Sequence, residues 1–138
     1  MKFLFTAVIL FTMSRFGYAQ NVKSTPCTNR CSAFSVTIVK GGSCGDHSLN
    51  FTVTNNTAGP KSIRMYSEMT DGKWNDNGWG PNNFAPGSST TFSVCNSTGK
   101  YVIYFGEPDY KIRDFPSLAM IQEIYGKSSS LYGRDIKQ

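Results

Sequence analysis

The chain has 138 residues, 39% of them hydrophobic and 14% aromatic, and a formal net charge of +5. That length holds one ordinary domain with a real core and is too short for two. Its basic residues are scattered, with nothing denser than Lys111 and Arg113, so the basic stripe of a nucleic-acid binder is missing.

Lys2 leads into an apolar run from Phe3 to Met13, and Gly17-Tyr18-Ala19 then offers a small-x-small cleavage site. Residues 1–19 therefore read as a secretory signal peptide, with mature protein starting near Gln20. Removing them from 138 leaves 119 residues, and removing Lys2 and Arg15 from 14 basic residues leaves 12 against 9 acids, a net +3. The apolar run falls short of the roughly 20 residues that span a bilayer, and no second run approaches that length. Cys27 lies well past the cleavage point and the C-terminus is polar, which argues against a lipid or glycolipid anchor.

Residues 20–33 form a polar entry segment carrying Pro26, Cys27 and Cys31. From Ala33 to Val39 the chain alternates, with Phe34, Val36 and Ile38 on one side, as a half-buried strand requires. His47 to Thr54 repeats the pattern, placing Leu49, Phe51 and Val53 opposite Asn50, Thr52 and Thr54. A loop by composition follows at 55–60. Ser62 to Thr70 alternates again, setting Ile63, Met65, Ser67 and Met69 against Arg64, Tyr66 and Glu68. Asp71-Gly72 predicts a tight two-residue hairpin turn into Lys73–Trp79. Asn75 to Asn83 is rich in Asn and Gly and reads as an ordered loop, and Pro86-Gly87 as a turn. Thr90 to Cys95 alternates with Phe92 and Val94 inward, and Ser97-Thr98-Gly99 turns the chain once more. Tyr101 to Phe105 is an unbroken β-forming run that suits a central strand covered on both faces. Ser117 to Tyr125 carries Leu118, Ile121 and Tyr125 near helical spacing, between Pro116 and Gly126. It reads as a short helix, with a strand as the alternative. The expectation is an all-β fold: a small immunoglobulin- or fibronectin-like β-sandwich over 34–126, with a short C-terminal helix and a loose tail at 127–138.

Four cysteines allow three pairings. Cys44 with Cys95 and Cys27 with Cys31 is the most economical, and Cys27–Cys44 with Cys31–Cys95 is its rival. Neither spacing resembles paired zinc knuckles, so structural disulfides in an oxidising compartment are expected, with no metal and no cofactor. The single histidine, His47, follows Asp46, but strand neighbours point to opposite faces, so the pair is no ready-made catalytic couple. Glu68 and Asp76 flank the hairpin and could face each other as a glycoside-hydrolysing pair would, though nothing in the spacing singles them out from the other acids. Asp71, Asn75, Asp76 and Asn77 offer hard oxygen ligands out of the order of a calcium loop, and the same residues favour turns for conformational reasons.

Tyr66, Trp74 and Trp79 cluster around the hairpin, where exposed aromatic faces beside amides would stack on sugar rings. The competing reading buries them in the core, as small sandwiches often do with a tryptophan. Three Asn-x-Thr triplets start at Asn50, Asn55 and Asn96, each sterically able to carry a glycan in a eukaryote. The function expected is that of a secreted or periplasmic, non-enzymatic, disulfide-stabilised module binding a glycan or cell-surface protein through Tyr66, Trp74 and Trp79. Alternatives are a secreted effector or membrane-active β protein, and a carboxylate-based hydrolase.

Overall fold

The structure is a computed structural model that describes residues 22–28, 31–126 and 136–137; the side chains of Trp79, Ile136 and Lys137 fall outside the description. The signal-peptide reading at 1–19 and most of the tail reading lie outside the described residues. The strands in chain order are β1 (Thr25–Cys27), β2 (Phe34–Lys40), β3 (Leu49–Asn55), β4 (Ser62–Met69), β5 (Trp74–Trp79), β6 (Ser89–Val94), β7 (Ser97–Gly106) and β8 (Ile136–Lys137), with helix α1 (Leu118–Tyr125) before the last. They form two four-stranded sheets, β1-β7-β4-β5 and β6-β3-β2-β8. Pairing is antiparallel throughout except where β8 runs parallel to β2 at Ile38 and Val39. This is a two-layer β-sandwich with one short C-terminal helix.

The alternation read from sequence holds in β2, β3 and β6. Phe34, Ile38, Leu49, Phe51, Val53, Phe92 and Val94 are buried, and they meet Ile63, Met65, Tyr101 and Ile103 from the opposite sheet. Each such side chain, fully buried, contributes about 1.5–3 kcal/mol. On the outer face of the β6-β3-β2 sheet, polar residues pair across strands. The Asn50–Ser93, Thr52–Thr91 and Thr54–Ser89 side chains are hydrogen-bonded at 2.6, 3.0 and 2.7 Å.

The β1-β7-β4-β5 sheet is covered twice. Its inner face joins the core just described. Its outer face carries Tyr66, Trp74, Val102 and Tyr104, packed against Phe115, Ile121 and Tyr125. β7 is accordingly central, with Tyr101 through Tyr104 all buried. The helix is set by its ends. Ser117 Oγ accepts the Met120 N–H at 3.3 Å, and the Gly126 N–H donates to Gln122 O at 3.0 Å. Ile121 and Tyr125, four residues apart, are its buried face, whereas Leu118, at the same helical spacing, is 39% exposed.

Four local expectations are corrected. The β4–β5 hairpin is a three-residue loop: Met69 O accepts the Gly72 N–H, and the Met69 N–H donates to Lys73 O. Only Gly72 there has positive φ (+83°), as a type I turn followed by a glycine bulge requires. The amide-rich stretch through Trp79 is strand β5, because the β4 edge offers it backbone partners from Glu68 to Arg64. The turn placed at 97–99 lies instead at Cys95–Asn96, and Ser97 already pairs with Met69 in β7. The polar entry segment also contributes a strand: β1 occupies the edge beside β7.

Both disulfides of the economical pairing are present, Cys27–Cys31 and Cys44–Cys95. The first sits where β1 leaves the sheet; the second joins the β2–β3 turn to the end of β6. Among the described residues, no helix is long and apolar enough to cross a membrane.

Candidate binding site

Of the three expected contact residues, two lie inside the protein. Tyr66 is 0% and Trp74 4% exposed, so neither offers a face to a ligand. Alternation set Tyr66 opposite the inward residues of its strand, where it lies with Trp74 beside it, but α1 and Phe115 close over that side. The Tyr66 hydroxyl donates to Pro116 O at 2.6 Å, and the Trp74 ring lies 5.4 Å from the Tyr125 ring. Burial pushes both Tyr66 and Tyr125 well above the usual phenol pKa; nearby Arg64 partly offsets this for Tyr66, and the hydrogen bond with Tyr104 adds to it for Tyr125. The third, Trp79, pairs through its backbone with Arg64, and its side chain is outside the described set.

The carboxylates named from sequence share that covered face. Glu68 pairs with Lys100 at 3.3 Å, and Asp76 with Arg64, whose guanidinium also lies 5.9 Å from the Tyr66 ring centre. Asp76 Oδ1 further accepts the Gly78 N–H at 2.9 Å. Asp71 accepts the Lys73 N–H at 2.9 Å, and the Asn77 amide donates to Ser67 Oγ at 2.8 Å. These polar groups hold the hairpin and its strands in place. His47 is exposed in the turn ahead of β3. Among the described residues, no group of three or more His, Cys, Asp or Glu side chains could hold a metal.

What the sheets expose instead is a hollow of about 680 Å³ lined by Asn82, Tyr110, Lys111, Ile112 and Arg113. It is built from the bottom up by a loop running out of β7. Gly106 forms the seat for the Tyr110 ring: a Cβ at Gly106 would run into the Tyr110 ring and force it to shift. Asp109 takes positive φ (64°), and its N–H donates to Asn82 O at 2.9 Å. Ser62 Oγ donates to the same carbonyl at 2.7 Å and accepts the Tyr110 N–H at 3.3 Å. At the far end, buried Asp114 accepts the Lys111 N–H at 2.7 Å, closing a 3₁₀ turn over Ile112–Asp114. Its carbonyl accepts the N–H groups of Lys23 and Ser24 at 3.1 and 3.0 Å. Phe115 packs edge-on to Tyr110 with ring centres 6.1 Å apart.

The loop is therefore clamped on both sides and leaves its middle free. Lys111, Ile112 and Arg113 are exposed, Ile112 by 64%. Two cations, one amide and one half-buried ring converge there, with no acid among the described lining residues. Sequence reading passed over this group, noting Lys111 and Arg113 only as the densest basic pair. The signal available was Lys-Ile-Arg, an aliphatic residue between two cations directly after a tyrosine.

A smaller hollow of about 570 Å³ lies along α1, lined by Lys73, Trp74, Leu118, Ala119 and Gln122. Gln122 Oε1 accepts the Trp74 N–H there at 2.8 Å, so its amide is committed to tying the helix to the β5 edge. Comparison with family models, with characterised proteins and with solved structures returns no match.

Proposed function

We propose that the chain is an exported, non-enzymatic binding module that takes an anionic saccharide in the hollow beside residues 109–115. The observation that carries this reading is the convergence of Tyr110, Asn82, Lys111 and Arg113 on one concavity, held by backbone and buried-carboxylate bonds. A ligand site needs a concave apolar surface with a few fixed polar groups. Here a ring can stack on a sugar face, an amide can bond hydroxyls, and Arg113 can grip a carboxylate or sulfate with two parallel N–H bonds. Export is supported by the leader-like first nineteen residues and by two disulfides, which persist in oxidising compartments. A non-enzymatic role is supported by the commitment of Glu68 and Asp76 to ion pairs on a covered face.

The 64% exposure of Ile112 between two cations favours a second reading, an anionic lipid surface with Ile112 as the inserted tip. One experiment separates the two. The protein is passed over immobilised polyuronate or sulfated polysaccharide, over a neutral polysaccharide, and over anionic vesicles. Retention on the charged polysaccharide, released by salt, is expected, with no retention on the neutral one. Replacing Lys111 and Arg113 together by alanine is expected to weaken binding at least roughly tenfold, the equivalent of about 1.4 kcal/mol. The melting temperature is expected to hold, since both side chains are exposed. Equal binding by wild type and the double variant would overturn the assignment. Vesicle binding alone, abolished by Ile112→Asp, would replace it with the lipid reading.

A further inference from the structure

The three Asn-x-Thr triplets take no part in the hollow, and the fold treats them differently. Asn55 is 0% exposed. Its amide nitrogen donates to Phe84 O at 2.7 Å and Gly59 O at 3.2 Å. Its Oδ1 accepts the Thr57 N–H at 2.9 Å and the Thr57 hydroxyl at 2.7 Å. Both amide hydrogens are spent on backbone carbonyls, that to Phe84 in a buried bond, and the threonine of the triplet is bonded to the asparagine itself. Asn55-Asn56-Thr57 is thus a turn-locking motif, and a sugar on that nitrogen is incompatible with the folded interior, contrary to the expectation that all three sites are open.

Asn96 is the opposite case. It is exposed in the two-residue turn between β6 and β7, at φ 52°, with its backbone carbonyl accepting the Thr70 N–H at 2.7 Å. Its side chain stands clear of both cores. β7 begins at Ser97 and ends at Gly106, the seat of Tyr110. At about 3.3 Å per residue, its ten residues put roughly 30 Å between Asn96 and the hollow. Asn50 is half-buried on the sheet face, where its Oδ1 accepts the Ser93 hydroxyl.

We propose that Asn96 is an N-glycan acceptor and that Asn55 is not when the chain passes through a eukaryotic secretory membrane, which rests on the export reading above. The donor is a lipid-pyrophosphate-linked oligosaccharide. The Asn96 amide nitrogen bonds to the anomeric carbon, and the bond from that carbon to the pyrophosphate oxygen breaks. The lipid pyrophosphate leaves with the electron pair, and the amide proton passes to a base of the transferase; nothing is oxidised or reduced. The glycan covers the end of the sandwich that holds Cys44–Cys95 and leaves the hollow open.

The test is expression of the full chain in a eukaryotic secretory cell, beside a second version with an established leader ahead of Gln20. The pair separates failure of residues 1–19 as a leader from failure of the glycan. Secreted protein is deglycosylated enzymatically in heavy-oxygen water, which marks each former glycan site as a labelled aspartate, and its peptides are mapped. Label at Asn96 and none at Asn55 is expected, with Asn50 read from its own peptide. Asn96→Gln is expected to lose that glycan and keep the melting temperature of the enzymatically deglycosylated wild type. Unlabelled Asn96, or label at Asn55, in folded secreted protein overturns the proposal.

Discussion

Asn55 ties the turn after β3 to the connection between β5 and β6. Removing its carboxamide takes the acceptor from the Thr57 N–H and leaves Phe84 O with the Lys61 N–H and Gly59 O with the Thr57 hydroxyl as partners. Asn55→Ala is expected to cost about 2–3 kcal/mol, the penalty for the hydrogen bonds lost and the donor left unmet, read as a lowered urea midpoint with unchanged slope. Its importance was not legible in the sequence, where Asn-Asn-Thr-Ala-Gly-Pro reads as a solvated loop. Tyr66 and Trp74 show the same limit from the other side. Alternation assigned Tyr66 to a sheet face, but alternation is a property of one strand and cannot tell whether anything covers that face. What covers it lies about 50 residues on: Pro116 accepts the Tyr66 hydroxyl, and Gln122 accepts the Trp74 N–H.

At the scale of elements, β2, β3, β6 and β7 were readable because each carries its own pattern, strict alternation or a continuous β-forming run. β5 was only half readable. Its middle residues, Asn-Asp-Asn-Gly between the two tryptophans, are turn formers, and pairing with β4 overrides that preference. α1 was found from its spacing and its end signals, but its partner was not. That partnership has a pH signature. Tyr66 and Tyr125 sit between α1 and the sheet with pKa values raised by burial above the ordinary phenol value of 10.0. The folded protein keeps both protons where the unfolded chain releases them. The stabilisation is complete below pH 10 and is lost as the pH climbs above it, by up to about 1.4 kcal/mol per pH unit for each tyrosine. Urea midpoints are expected to fall steeply between pH 10 and 11, and less steeply in Tyr125→Phe.

For the whole molecule, the layers are unequal. One sheet is packed on both faces, and the other turns a hydrogen-bonded polar face outward. The two disulfides stabilise them unequally as well. Cys44–Cys95 spans 51 positions and Cys27–Cys31 spans 4, which on the chain-entropy model corresponds to about 4 and 2 kcal/mol. Replacing Cys44 and Cys95 by serine is expected to lower the melting temperature more than replacing Cys27 and Cys31, by calorimetry. The chain leaves the sandwich for α1 through Lys111, Ile112 and Arg113, the exposed stretch that lines the hollow. A trypsin-like enzyme nicking there would leave the helix joined to the sandwich only by the chain on its β8 side and loosen its cover over the aromatic floor of Tyr66, Trp74 and Tyr104. A ligand resting on those two cations would shield the same bonds, so occupancy and resistance to digestion should rise together.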